Sequence, residues 1–452
     1  MDKHTDNEKD IKKIQLALTN KHMDQFRQLF LDEHPYIQAQ FFIKQDEESR
    51  QLIYAHLSAE EVALFMEDID HEDTKTFIME MDTPFAASVL AEMPADDAVD
   101  ILNELDKEVV VSFLTIMDEQ AADEIKQLLH YEEKTAGSIM TTEFVSLIKS
   151  QTAKQAMARI KEIAPDAETI YYMYVEDANK RLVGVLSLRE LIVANEETLM
   201  EEIMDDNLIS VSVGADQEEV ARMMRDYDFL ALPVVDFQNH LLGIITVDDI
   251  LDVMDEEASD DYSKLAAISD VQKPDDSAIV AAKKRLPWLI ILLFLGMLTA
   301  SLIGQFEETL EQVALLAIFI PLIAGMAGNT GTQSLAVAVR GLATGDFGQQ
   351  GKLKLLLREA TTGLITGSVC GLLIAIIIFV WKGEIFLGIL VGFAILTTLI
   401  VATLSGSIIP IIMDRLKIDP AVASGPFITT INDIISILIY FGFATAFMKY
   451  LI

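Results

Sequence analysis

Cysteine is nearly absent from this chain, and positive charge is scarce. Cys370 is the single cysteine among 452 residues and lies in an apolar stretch, which excludes a disulfide framework and a thiolate metal site. Lys and Arg together number 34 against 71 Asp and Glu, for a formal net charge of −37. A surface that negative repels nucleic acid and anionic lipid and attracts cations, unless the acids merely keep it solvated. Neither a Walker loop nor an HExxH pair occurs, so the chain does not read as an enzyme. The opening MDKHTDNEKD is polar and acidic with no apolar core, so a cleaved secretory signal is not expected and residues 1–282 should remain in the cytoplasm.

The acids are unevenly placed. From Lys283 onward there are eleven Lys or Arg and nine Asp or Glu, net +2, which leaves 23 bases and 62 acids, net −39, in residues 1–282. Hydropathy beyond Arg285 predicts five spans, at about 286–306, 313–338, 360–381, 386–412 and 424–448, each long enough to cross a hydrocarbon core. Five crossings put the C-terminus outside. The connections that then face the cytoplasm hold Arg340, Lys352, Lys354, Arg358, Arg415 and Lys417, whereas the external loop and tail hold only Lys382 and Lys449.

Inside the second span, residues 321–333 read PLIAGMAGNTGTQ, with three glycines and four amide or hydroxyl side chains where lipid demands leucine. Asn329, Thr330, Thr332 and Gln333 are tolerable there only if they face a helix bundle or water. Gly325, Gly328 and Gly331 allow close backbone approach or a widened lumen, so a pore wall and a tight glycine-mediated helix contact are the two readings. The fifth span carries one ionisable residue in its interior, Asp433, with Asn432, Thr429 and Thr430 extending the polar patch. Asp433 is nine residues in from Ser424 and Asn329 nine back from Ala338, which puts both about 13 Å deep and able to face one another. A protonated Asp bonded to a neighbouring helix is the plainer alternative to a cation site. One carboxylate among amides, hydroxyls and carbonyls is an oxygen-only environment suited to a hard cation that keeps much of its hydration, as magnesium does.

The soluble part contains an internal repeat at about 138–257: SIMTTEFVSLIKSQTAKQAMARIKEI and YYMYVEDANKRLVGVLSLRELI, then EIMDDNLISVSVGADQEEVARMMRDY and LALPVVDFQNHLLGIITVDDIL. Met140 corresponds to Met204 and Gly184 to Gly243, and each copy reads as helix, strand, turn, strand and a Ser- or Thr-capped helix. This repeat resembles a pair of CBS domains, modules that often bind adenine nucleotides. Thr246 to Asp249 fits the family's ribose contact and Ser187 to Glu190 is a weaker variant, while helix capping explains the same residues equally well. Residues 10–130 predict short amphipathic helices, with a capping box at Ser58 to Glu61 and helix starts at Pro84 and Pro94. Their acids, including Glu60, Glu61, Glu67, Asp68, Asp96, Asp97 and Asp100, read mostly as a solvated face. Beyond the repeat, DDILDVMDEEASDD leads into an expected connecting helix, where Asp252, Asp255, Glu256 and Glu257 repel at helical spacing unless a counter-ion intervenes. Divalent cations relieving that repulsion are one reading, and an acidic, disordered linker is the other.

RLPWL at 285–289, PLIAGMAGNTGTQ at 321–333 and DPAVASGPFITTINDII at 419–435, in this domain order, resemble the MgtE family of bacterial magnesium channels and transporters along nearly the whole chain. The resemblance implies a multi-domain membrane protein: an all-α N-terminal superhelical domain (1–135), an α/β CBS pair (136–258, about 136–198 and 199–258), a connecting helix (259–283) and a five-helix transmembrane domain (284–452). It implies a multi-pass homodimer in the lipid of the bacterial inner membrane, with the pore lined by the second and fifth spans. Asp433 is then the central magnesium contact, with Gly325, Gly328, Asn329, Thr332, Gln333, Thr429 and Asn432 along the ion path. It further implies feedback, in which cytosolic magnesium binds between soluble domains and closes the pore. Asp228, Asp249 and Asp252 match regulatory carboxylates of the CBS part, and Asp255, Glu256, Glu257 and Asp419 match the junction with the pore. Glu61, Asp96, Asp97 and Asp100 are the candidate acids of the helical domain. ATP is the implied regulatory nucleotide, with Arg189, Glu190, Phe229, Thr246 and Asp249 as candidate contacts. Two other readings stay open: a secondary transporter coupling divalent cations to protons or sodium, and a membrane-anchored sensor of magnesium or nucleotide.

Overall fold

The computed structural model describes residues 3–69, 71–165, 167–272, 277–345 and 351–451. The chain divides into two compact units, Met1–Leu251 and Asp252–Ile452.

The first unit opens with a run of short helices, from Lys3–Thr19 to Glu119–Leu128. Their starts follow local chemistry. Asp46 accepts from the Ser49 amide, Asp118 from those of Gln120 and Ala121, and Ser58 and Glu61 close both bonds of a capping box. Apolar faces turn inward onto an aromatic cluster in which Phe26, Phe30, Phe42 and Phe65 are fully buried, with Phe30 and Phe65 edge to face at 5.5 Å. Each such ring removes about 150–250 Å² of surface from water, which makes this cluster the main anchor of the helical region.

The repeat follows as two three-stranded sheets. β1 (Ser146–Ile148) pairs parallel with β2 (Tyr172–Glu176), which pairs antiparallel with β3 (Leu182–Ser187). β4 (Val211–Ser212), β5 (Ala231–Val235) and β6 (Leu241–Thr246) repeat that order, with all five residues of β5 buried. The modules exchange their opening residues. A Cβ on Gly243 would lie 2.6 Å from the Thr141 carbonyl and 2.9 Å from the Met140 sulfur, and one on Gly184 would lie 2.6 Å from the Met204 sulfur. Each repeat's leading methionine therefore packs on the other repeat's glycine, where no side chain fits.

Helix Val247–Leu265 begins in the first unit and ends in the second. The connecting helix expected at 259–283 is only partly present: the helix stops at Leu265, Ala267 turns left-handed (φ 58°), and residues 268–272 are not helical. The expectation over 273–276 lies outside the described residues. Ser277 then caps a new helix through the Val280 amide.

Five helical segments of the second unit are long and apolar enough to cross a membrane: Ala278–Gly304, Ala314–Ala343, Gly351–Lys382, Ile385–Arg415 and Gly425–Ala446. The fourth is the most enclosed, with 56% of its apolar window buried, and the first has none buried, so the fourth is the post around which the others pack.

Candidate functional site

The second and fifth spans pack along one seam. A Cβ on Gly328 would come within 2.6 Å of the Thr429 methyl, and one on Gly331 would fall 1.9 Å from Nδ2 of Asn432. The Thr332 and Thr429 hydroxyls lie 3.3 Å apart. Each can donate to a carbonyl one turn back in its own helix, Gly328 at 3.0 Å and Gly425 at 2.9 Å, which leaves lone pairs for an ion or water. Gly325, Asn329 and Gln333 recur every fourth residue of the second span and form an exposed stripe. Asp433 is half-buried, with Oδ1 shut away from solvent and without a hydrogen-bond partner. A carboxylate oxygen in that position calls for a positive partner. Asn432 is turned into the packing instead: it is 1% exposed, and its Oδ1 accepts from Ser405 of the fourth span at 2.5 Å. A cavity of 640 Å³, lined in part by Tyr262, Leu265, Leu292, Thr332, Thr429 and Thr430, opens beside the start of the fifth span.

Asp419 sits just before that start. Lys264 reaches its Oδ2 at 2.5 Å and Asp260 at 2.7 Å, so this expected metal contact already shares an ammonium group with a second carboxylate. Burial and the nearby Asp419 push the Asp261 carboxyl up to about 6. Along the connecting helix Asp252, Asp255 and Glu256 are exposed, and Glu257 is half-buried.

The first unit holds a second, denser concentration of acid. Asp96 and Asp97 occupy the first turn of helix Ala95–Asn103, with Asp100 one turn on. Burial, with Asp249 and Glu168 among its neighbours, lifts Asp96 to about 8. Burial, with Asp96, Glu67 and Asp249 alongside, lifts Asp97 to about 9. Glu67 is raised to about 7 by crowding and by Glu168, Asp68 and Glu143, and Glu168 is raised by crowding, Asp249, Asp248 and Glu143. Glu67 and Glu168 keep open surface at the rim, and Oδ1 of Asp96 is buried without a partner. An orphaned carboxylate oxygen amid like charges fits a hard divalent cation. Among the described residues no three of these groups close on one ion-sized point, so an ion held here keeps water in its shell. Glu67, which the sequence placed on a solvated face, joins this cluster, as does Asp248 from the acidic stretch DDILDVMDEEASDD, and Glu143 and Glu168 join it without any signal in the sequence. Glu61 is otherwise engaged, paired with Arg27 and bonded to Ser58. Asp228 is exposed and left-handed (φ 55°).

The candidate nucleotide contacts are dispersed. Arg189 and Glu190 line a 400 Å³ cavity with Val193, Ala194 and Ile203, and neither Phe229 nor Thr246 borders it. Thr246 is buried and bonded to Asp249, Ser187 and Glu190 form a complete capping box, and Phe229 stacks on Tyr227 at 5.4 Å.

Comparison with known families follows this division. Residues 320–443 match MgtE, described as divalent cation transporter; residues 33–134 match the MgtE intracellular N domain; residues 136–197 and 200–256 match the CBS domain. The magnesium transporter MgtE of Enterococcus faecalis is 55% identical over 438 residues, covering 96% of both chains. The chain belongs to the MgtE family. The magnesium transporter MgtE of Bacillus subtilis is 49% identical over 72% of each chain, and that of Thermus thermophilus 40% identical over 72% of this chain and 73% of its own. Two solved structures resemble the soluble part. The soluble part of a magnesium transporter is 50% identical, with a TM-score of 0.54, over 56% of this chain and 99% of its own. The cytosolic domain of the Mg2+ channel MgtE in complex with ATP is 35% identical, with a TM-score of 0.52, over 54% of this chain and 99% of its own. The order of helical region, CBS pair and apolar spans read from the sequence is thus that of the family.

Proposed function

We propose that this chain is a magnesium channel or transporter whose ion path runs along the Gly325–Asn329–Gln333 stripe past Asp433, and whose opening is set by magnesium bound to the soluble carboxylates. The observation that carries the reading is the orphaned Oδ1 of Asp433 on the half-buried seam between two spans. A lone carboxylate beside hydroxyls holds a hydrated divalent ion without trapping it, which transit requires. The exposed polar stripe and a first span with no buried residue support a homodimer in which a second copy covers these faces. The distribution of Lys and Arg among the loops supports a cytoplasmic soluble part and an external C-terminus.

Regulation follows from charge. Without metal, Glu67, Asp96, Asp97, Glu168 and Asp249 repel one another; divalent ions between them favour the compact arrangement, and magnesium loss favours a looser one. ATP is proposed as a modulating ligand of the CBS pair, supported by the ATP complex of the 35% identical cytosolic domain.

The test is magnesium current in excised patches, wild type against Asp433→Ala, with cytosolic magnesium stepped from low to high. Conduction at low magnesium that closes at high magnesium and is lost in the variant supports the whole reading. Normal conduction by Asp433→Ala removes the path assignment, and flux without current, dependent on a sodium or proton gradient, replaces a channel with a coupled transporter.

A further inference from the structure

Among the described charged residues, Glu359 is the least exposed, at 6%, and it is the ninth residue of the third span, Gly351–Lys382. It does not touch the polar stripe. Its Oε2 is 3.0 Å from the Ser334 hydroxyl of the second span, and Ser334 is itself 2.6 Å from the Thr403 carbonyl and 2.7 Å from the Ser407 hydroxyl of the fourth span. Thr403 in turn can donate to the Glu359 main-chain carbonyl at 3.0 Å. Among the described residues its charged contact is Arg358, at 3.4 Å from Oε1 with a side chain 58% exposed. Three helices meet at this knot, and a Cβ on Gly406 of the fourth would lie 2.3 Å from the Gly331 carbonyl of the second.

We propose that Glu359 is a positioning residue of the ion path, which through Ser334 fixes the rotation of the second span and hence the direction in which Asn329 and Gln333 point. The proposal rests on reading that stripe as the path. Ser334 follows Gln333 directly, and successive helical residues are about 100° apart, so a side chain tied on the buried side sets its neighbour on the exposed side. The fourth span serves both walls: Ser407 meets Ser334, and Ser405 holds Asn432, the residue before Asp433. Ser334 has one proton and three oxygen neighbours: the Glu359 carboxyl, the Thr403 carbonyl and the Ser407 hydroxyl. Its proton is shared between the Thr403 carbonyl and Glu359 Oε2, and the Ser407 hydroxyl can donate to Ser334 in turn. A glutamine side chain keeps a hydrogen-bonding oxygen at the same place; alanine leaves Ser334 short of a partner.

The experiment uses full-length protein in proteoliposomes on a Cys370→Ser background, with Asn329→Cys or Gln333→Cys probed by a water-soluble thiol reagent and magnesium influx followed in parallel. With Glu359 intact, both positions react and the reaction blocks influx. Glu359→Ala slows modification at these positions by about tenfold, equivalent to 1.4 kcal/mol, and lowers influx, whereas Glu359→Gln restores both. Ser334→Ala tests the same link should Glu359→Ala fail to assemble, with the same slowing expected. If both positions react with Glu359 intact and neither Glu359→Ala nor Ser334→Ala alters the rate, the proposal is overturned and the path reading survives. If neither position reacts with Glu359 intact, the path reading falls and takes the proposal with it.

Discussion

In the soluble unit Glu67, Asp96, Asp97, Glu168 and Asp249 crowd together until burial and mutual repulsion raise the pKa values of the first four, whereas in the membrane unit Asp433 has no second carboxylate on its helix. Crowding makes a place where a divalent ion relieves several repulsions at once and the fold responds to its loss. Isolation makes a place where, on the path proposed, one charge aided by Thr332 and Thr429 oxygens attracts an ion without removing its water. In the function proposed, carboxylates serve as sensor in one unit and as way-station in the other, and the number of neighbours separates the roles.

The largest effect expected is at the isolated site. Asp433→Ala reduces magnesium influx into proteoliposomes to background while leaving magnesium-dependent protection of the soluble unit from proteolysis intact. Gly331→Ala comes next, because its Cβ would fall 1.9 Å from Asn432 Nδ2 and the asparagine must move; overpacking of this kind costs about 1–3 kcal/mol, read as a lower melting temperature in detergent together with reduced influx. Gly325→Ala, with nothing within 4 Å, is the matched substitution that leaves melting unchanged.

Neutralising the crowded site acts on regulation instead. Asp97→Asn raises the cytosolic magnesium needed for closure by about tenfold, within the usual range of coupling energies, and makes the metal-free protein harder to digest. Protons compete for the same oxygens. Asp96 and Asp97 titrate at about 8 and 9 in the fold, above the unfolded carboxylate value, so both states are protonated at low pH and no penalty exists there. As pH rises from about 4 through 9 the metal-free fold loses stability, and magnesium, which displaces those protons, binds more tightly. Melting in chelator should therefore fall between pH 6 and 9, and saturating magnesium should flatten that fall. The smallest effect expected is Lys264→Met, which frees Asp419 from a partly exposed pair worth up to about 1 kcal/mol; calorimetry should find little change in melting and a gain in magnesium bound near the fifth span.

The five apolar segments and the CBS repeat were legible because each rests on periodic or continuous apolar pattern. Hydropathy placed the first and third spans short at their starts, since helices run smoothly through Lys283, Lys284 and Arg285 and through the KLKLLLRE stretch, where charge masks helical continuity. That masking also hid Glu359, one residue outside the expected third span. The acid cluster was legible only in part: the family resemblance named Asp96, Asp97 and Asp249 as candidates, whereas Glu67 read as a solvated face and Glu168 carried no signal, because these acids come from separate segments of sequence and nothing local marks those that converge. Capping explained Thr246 and Ser187 equally well on paper; in the fold Ser187 closes a full capping box with Glu190, and the Thr246 amide and hydroxyl donate to Asp249.

The exchanged methionines bear on how the protein is made. Met140 finds its seat on Gly243, about a hundred residues later, and Met204 finds its seat on Gly184. At roughly 5–20 residues per second, the first module leaves the ribosome several seconds before the glycine that completes it. Until then Met140 is an exposed apolar residue on an unfinished surface, so the pair matures as one folding event, and a stalled or truncated chain ending between the modules is a substrate for chaperones and proteases.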